Sequence, residues 1–253
     1  MEYIHENAKL NAIRNYKIIP VSKLQEAENV GLSRLYELLK EYKYTKILSL
    51  KEAEIDLFKS VEESVMFELQ ETIILITKFL RSKDKWIIQL LKFFYIDNLQ
   101  LTNNEMFNFD LQRIIKFKSF LLKIEEARNK HIKTLLRTLI DFENIKIFLS
   151  YRTISEIENV EQIQFLDGGN LKTKNFVKIF PDVEMLKKEV NKIYPKIDFA
   201  DTTNFYLVME NEIKKIFFRY KNYFFTIEPL LIYFFEKFFE VQKIKNIFIK
   251  FAK

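Results

Sequence analysis

The sequence predicts an all-α protein made of repeated helical units. Three glycines and four prolines in 253 residues are too few for the many tight turns of a β protein. Apolar residues recur at steps of three and four along most of the chain, which is the spacing of a buried helical stripe. Hydrophobic residues make up 48% of the chain and charged residues 30%, so it can bury a core.

Residues 54–80 predict the first long helix. Eight apolar residues fall on one face of it, and they are Ile55, Phe58, Val61, Val65, Leu69, Ile73, Ile76 and Leu80. A second helical region covers residues 85–100. A third covers 111–151, and its length predicts a kink or turn near residues 126–130.

A turn and two prolines organise the second half of the chain. Residues 167–170 (DGGN) hold two of the three glycines and form the strongest boundary signal. Pro181 and Pro195 bracket a predicted helix over residues 182–193. Helical spacing returns between Phe205 and Tyr220. The last helix begins at Glu228, because Pro229 is tolerated in a first turn.

One helical pattern occurs three times, at residues 95–100 (YIDNLQ), 141–146 (DFENIK) and 240–245 (EVQKIK). Each copy follows an apolar or aromatic run. We therefore predict three helical units. The first covers residues 1–105 and includes the N-terminal helix. The second covers 106–175 and ends at the 167–170 turn, and the third covers 176–253.

The polar pairs inside the pattern favour a structural role. Asp97-Asn98 and Glu143-Asn144 would lie at the edge of a buried stripe, where they can bond a neighbouring helix end or loop backbone. The third copy carries Lys243 in place of the asparagine. That replacement argues against chemistry performed by the amide.

Motifs for catalysis are missing, so we predict no catalytic, cofactor-binding or metal-binding residues. The absence of cysteine removes thiolate nucleophiles, Fe–S clusters and cysteine zinc sites. His5-Glu6 starts like a zincin signature, but Lys9 stands where the second histidine is needed, and His131 is distant in sequence. Gly168-Gly169 lacks the Lys-Ser/Thr of a phosphate loop. The pairs Glu62-Glu63 and Glu125-Glu126 are typical of a solvated helix face.

Charge is concentrated at the end of the chain. The net charge is +6, and residues 211–253 carry nine basic and four acidic side chains. On the last helix, Lys243, Lys250 and Lys253 share a face. Three interpretations stay open: a solvated face, a docking surface for an acidic or membrane-adjacent partner, and a nucleic-acid or anionic-surface site.

Membrane insertion and export are not expected from this sequence. The longest stretch without a charged residue is Thr202 to Met209, eight residues, whereas a spanning helix needs about 20 apolar residues. The acidic start of the chain does not resemble a signal peptide. We expect a cytoplasmic protein without its own transmembrane segment.

Six segments together resemble a known family, and they are residues 3–13, 95–99, 141–149, 166–171, 227–233 and 240–245. Their order and content are similar to the C subunit of V/A-type rotary ATPases, the homologue of eukaryotic V-ATPase subunit d. The clearest segment is 227–233 (IEPLLIY), followed by 240–245 (EVQKIK). The resemblance extends over nearly the whole chain.

The resemblance implies a non-catalytic rotor component of an ATPase that transports protons or sodium ions. Such a subunit is a funnel-shaped, three-lobed helical adaptor, peripheral to the membrane, between the central shaft and the proteolipid ring. It needs no cofactor and no nucleic acid. Asn98 and Asn144 lie 46 positions apart, whereas Asn144 and Lys243 lie 99 apart. The material between the first two units is therefore expected to be shortened.

Overall fold

The computed structural model describes residues 3–44, 57–92, 130–152, 163–195, 197, 199, 202–217 and 226–251. Within these residues the protein is helical and has no strand, which confirms the all-α prediction. Nine α-helices are described: α1 (Ile4–Lys17), α2 (Val21–Val30), α3 (Leu32–Glu41), α4 (Leu57–Phe79), α5 (Lys130–Arg152), α6 (Thr173–Ile179), α7 (Val183–Asn191), α8 (Thr202–Phe217) and α9 (Glu228–Phe251).

The chain divides into two compact units. Unit 1 comprises Met1–Leu99 with Tyr220–Lys253, and unit 2 comprises Gln100–Arg219. The 167–170 turn lies inside unit 2. Of the three copies of the repeated pattern, residues 141–146 lie in unit 2 and 240–245 in unit 1, while 95–100 lie outside the described residues. The division into three sequence units stays a prediction.

Helix α9 is the centre of unit 1. It packs against α4 and also contacts α1, α2 and α3. Fifteen of its 24 residues are buried, and they lie on all sides of the helix. A helix that is apolar around its circumference is buried rather than laid on a surface. Phe234, Phe238 and Val241 are among the buried residues, whereas Phe251 is 38% exposed.

Helix α4 confirms the long helix that the sequence predicts at residues 54–80. The side chains of Val61, Val65, Leu69, Ile73 and Ile76 are buried along one face. These residues recur every three or four positions, which is the step that returns a side chain to the same face of a helix. The predicted region at 85–100 is described only to residue 92, and residues 87–92 are helical.

Unit 2 is built on α5, which packs against α8 and α6. The ring of Phe142 on α5 lies 5.2 Å from the ring of Tyr194 and 5.2 Å from that of Phe205 on α8. Helix α7 confirms the segment predicted between Pro181 and Pro195. Asp182 caps it, since its Oδ1 accepts a hydrogen bond of 3.0 Å from the backbone N–H of Met185. The predicted kink at 126–130 lies outside the described residues, apart from Lys130.

Candidate functional site

Asp141 on α5 joins this helix to the glycine turn of unit 2. The carboxylate is fully buried. It accepts hydrogen bonds from the backbone N–H groups of Asn170 at 3.0 Å and Leu171 at 2.9 Å, and from the Asn170 side chain at 2.8 Å. The Tyr194 hydroxyl donates a further hydrogen bond to it. One carboxylate therefore holds a helix, a turn and the end of the α7 segment together.

The glycine at position 169 makes this contact possible. A Cβ at Gly169 would overlap Oδ1 of Asp141 and would lie 3.2 Å from Cγ2 of Ile140. Any side chain here would push the turn away from the carboxylate. Gly169 therefore serves a close backbone approach to a helix.

Asn144 lies one turn further along α5 and binds the chain just before the same turn. Its Nδ2 donates to the carbonyl oxygen of Leu166 at 2.8 Å, and its Oδ1 accepts from the Leu166 N–H at 2.7 Å. The sequence-based prediction that Asn144 bonds a loop backbone is thus confirmed. Its neighbour Glu143 forms a buried ion pair of 2.9 Å with Lys146.

Glu240 on α9 forms the corresponding contact in unit 1. It accepts a 2.8 Å hydrogen bond from the backbone N–H of Ile19, in the segment between α1 and α2. The Tyr44 hydroxyl also donates to it, and Lys237 lies 2.7 Å away as an ion-pair partner. Lys237 is completely buried and donates to the carbonyl oxygen of Lys17 at 2.5 Å.

Asp141 and Glu240 occupy the same position of the repeated pattern. Each opens its six-residue copy, and each accepts hydrogen bonds from a loop N–H and from a tyrosine hydroxyl. Burial raises the pKa of Tyr194 and Tyr44 above the ordinary value of tyrosine, and the adjacent carboxylates raise it further. Both hydroxyls therefore stay protonated as donors. The two copies build the same joint from unlike sequences.

The environment of Asp141 favours a structural joint over an acid–base site. Burial raises the pKa of its carboxyl, while the hydrogen bonds from Tyr194, Leu171 and Asn170 lower it and oppose that effect. All of these donors are fixed parts of the fold. The hydrogen bonds described for this carboxylate all come from its own fold.

The two histidines that were considered for metal binding lie on separate helices, α1 and α5. Within the described segments, no group of three or more His, Asp or Glu side chains could hold a metal ion. His5 is exposed on α1 in unit 1, and His131 is half-buried on α5 in unit 2. Glu62 is half-buried, and its pKa is raised by burial, whereas Glu63 is exposed. The pair Glu125-Glu126 lies outside the described residues.

Some of the basic side chains near the end of the chain are buried or half-buried. Lys237 is buried, Lys243 is half-buried, and Lys250 is exposed with Glu28 at 3.6 Å. On α8, Lys214 and Lys215 form ion pairs with glutamates on the same helix. Lys253 lies outside the described residues. The predicted lysine face of α9 is thus represented by Lys243 and Lys250 alone.

Sequence reasoning missed Tyr44, Tyr194 and Lys237 as parts of the two joints. A signal for the carboxylates was present, since Asp141 and Glu240 align when the two copies are superimposed. No comparable signal marked the tyrosines, because they lie 196 and 53 positions from the carboxylates that they bind. Their roles depend on the tertiary fold.

No family model, curated protein or solved structure matches this chain. Among the described helices, none combines the length and the apolar character that a bilayer crossing requires.

Proposed function

We propose that this chain is a non-catalytic rotor adaptor of a V/A-type rotary ATPase, which couples the central shaft to the membrane proteolipid ring. One observation carries the proposal: the segments that resemble the family bind one another. Residues 141–149 bind residues 166–171 through Asp141 and Asn144. Residues 3–13 are linked to the residue that immediately precedes the 227–233 segment, since Asn7 donates to the Thr226 carbonyl oxygen at 2.8 Å.

Joints of this kind suit a part that transmits torque. A torque-transmitting part must resist deformation, and close-packed interiors transmit strain instead of absorbing it. In both units a long helix is tied to loop backbone through a buried, hydrogen-bonded carboxylate. Breaking such a contact would leave a buried polar group unsatisfied, which costs about 1–3 kcal/mol. The motif residues therefore stabilise each unit.

The proposal includes partners and a location. The partners are the central shaft subunits and the proteolipid ring, and the chain is placed at the cytoplasmic membrane surface through the complex. It includes the three-lobed funnel with a shortened first half. It requires no cofactor, no metal and no nucleic acid. The mechanism is mechanical: rotation of the shaft is passed to the ring through surfaces held rigid by the joints.

Co-purification from the native membranes tests the assignment. The tagged chain is isolated after mild detergent solubilisation, and the bound proteins are identified by mass spectrometry. We expect a pair of P-loop ATPase subunits and a proteolipid. A second sample carries Gly169→Leu. This substitution would push the turn away from Asp141, so we expect weaker capture of the partners. Recovery of neither ATPase subunits nor proteolipid with the native chain would refute the assignment.

The alternative function is that of a nucleic-acid or anionic-surface binder. The described part of α9 argues against this helix as the binding surface. The aromatic side chains Phe234, Phe235, Phe238 and Phe239 are buried, and buried rings cannot stack on bases. Retention on a DNA column that falls steeply with salt would nevertheless restore that hypothesis.

A further inference from the structure

Helices α6 and α7 present an exposed lysine-rich face in unit 2. Their inward side chains are Phe176 on α6 and Leu186 and Val190 on α7, which are buried. Each helix also carries an exposed stripe on the side away from these buried residues. We call the two stripes together the α6–α7 face, and its residues are Lys174, Val177 and Lys178 in the first stripe and Met185, Lys188 and Lys192 in the second. Each stripe combines lysines with an aliphatic residue.

The two helices are fixed to each other, so the face has a defined geometry. Nδ2 of Asn175 on α6 donates a 2.6 Å hydrogen bond to Oε1 of Glu189 on α7. The Asp182 N–H donates to the Ile179 carbonyl oxygen at 2.8 Å across the connection. The two stripes are therefore carried by a pair of helices that contact each other.

The charge of the α6–α7 face is not neutralised from within. Residues 172–192 contain six lysines and three acidic residues. Two of the acids are engaged, since Asp182 caps α7 and Glu189 pairs with Lys192. Elsewhere on the described surface, exposed lysines such as Lys214 pair with a glutamate of their own helix. In the part of the chain that the structure describes, Lys174, Lys178 and Lys188 have no ion-pair partner.

Aliphatic side chains lie exposed among these lysines. Val177 is 40% exposed and Met185 is 52% exposed. Methionine is flexible and polarisable, and it adapts to irregular apolar partners. A face of this composition offers both charge and apolar contact area.

We propose that the α6–α7 face binds an acidic polypeptide segment that also carries aliphatic side chains. The lysines complement carboxylates, and Val177 and Met185 complement the aliphatic groups. Residues 172–192 contain no arginine, which is the preferred bidentate ligand of phosphate. The phenylalanines of these helices turn inward or are half-buried, so the face lacks aromatic anchors for headgroups or bases. The inference is independent of the rotary ATPase assignment.

A binding assay with a defined probe tests this proposal. The probe is a fluorescein-labelled amphipathic helical peptide with glutamate and leucine on one face, and its anisotropy is measured on addition of the full chain. The test variant is Lys174→Glu/Lys178→Glu/Lys188→Glu. The control, Lys9→Glu/Lys78→Glu/Lys85→Glu, changes the net charge equally with exposed lysines of unit 1.

We expect the test variant to lose affinity by about tenfold or more, because several exposed charge pairs of up to about 1 kcal/mol are reversed. The control should stay within about twofold of the native chain, since distant charges are screened by salt. No binding by the native chain, or equal losses in both variants, would overturn the proposal.

A second pair of variants separates docking from general attraction of charge. Val177→Ser/Met185→Ser removes apolar contact without changing the charge, and Leu207→Ser on α8, a residue that is 46% exposed, is its control. We expect weaker peptide binding in the first variant only. Phosphatidylserine vesicles and a DNA duplex are tested in parallel. If either binds through the same lysines while the peptide does not, the occupant is not a polypeptide and the proposal fails.

Discussion

At the scale of single residues, two buried carboxylates form the main polar contacts between helices and loops. Asp141 and Glu240 share a position in the repeat, and each connects a helix to loop backbone and to a tyrosine. Because their donors are supplied by the fold, these carboxylates hold elements of the fold together. Changes in their protonation or packing should therefore change the free energy of unfolding.

Tyr194→Phe should destabilise unit 2 in a pH-dependent way. The pKa of Asp141 is raised above its ordinary value of 3.8, so its neutral form contributes stability at low pH that is lost as pH rises through the raised pKa. The Tyr194 hydroxyl opposes this loss by bonding the ionised form. Removing it should lower the free energy of unfolding by about 1.5–3 kcal/mol near neutral pH and by less near pH 4.

Urea unfolding at the two pH values measures this effect. The control is Tyr16→Phe, because Tyr16 is 75% exposed, and it should leave stability unchanged at both values. A loss for Tyr194→Phe that is equal at both pH values would contradict the assigned role of the hydroxyl.

Gly169→Ala should destabilise through its overlap with Asp141. We expect a loss of about 2 kcal/mol, typical of a group forced into a packed site. In an Asp141→Ala background most of the overlap is absent. The double variant should therefore lose less unfolding free energy than the sum of the two single losses. Unfolding of the single and double variants completes the cycle. Full additivity would show that the glycine serves another purpose.

At the scale of elements, the positions of the helices could be predicted from the sequence, whereas their tertiary contacts could not. Spacings of three and four predicted α4, α8 and α9, because burial on one face requires that period. The proline bracket predicted α7, and the structure adds Asp182 as its N-cap. The burial of Lys237 could not be predicted, since lysine is rarely fully buried without a partner and its partner Tyr44 lies 193 positions away.

The joint around Asn144 was predictable in kind, because a polar pair beside a buried stripe must find a partner. The identity of that partner, Leu166, was not. Pairing between a helix and a loop depends on tertiary packing, which periodicity does not encode.

Lys237→Met should show that the buried ion pair holds α9 in place. Removing one partner leaves Glu240 buried with an uncompensated charge, so we expect a loss of about 3 kcal/mol in unfolding free energy. Lys250→Met is the matched control on the same helix, and its exposed pair with Glu28 should contribute less than about 1 kcal/mol. Thermal and urea unfolding of both variants measures the difference. Similar losses would mean that burial of Lys237 has no energetic consequence.

At the scale of the whole molecule, the two compact units share one construction principle. Each ties a long helix to loop backbone through a carboxylate at the same position of the repeat. Rigid, repeated helical joints are the property that a coupling subunit needs. The proposed rotary adaptor function would require joints of this kind.

Coupling in a reconstituted ATPase tests the central claim most directly. The complex is purified with and without this chain and placed in vesicles, and ATP hydrolysis and ATP-driven ion uptake are measured together. We predict that the depleted complex continues to hydrolyse ATP while ion uptake falls to background, and that adding back the native chain restores uptake. Ion uptake that proceeds at the same rate without the chain would contradict the account.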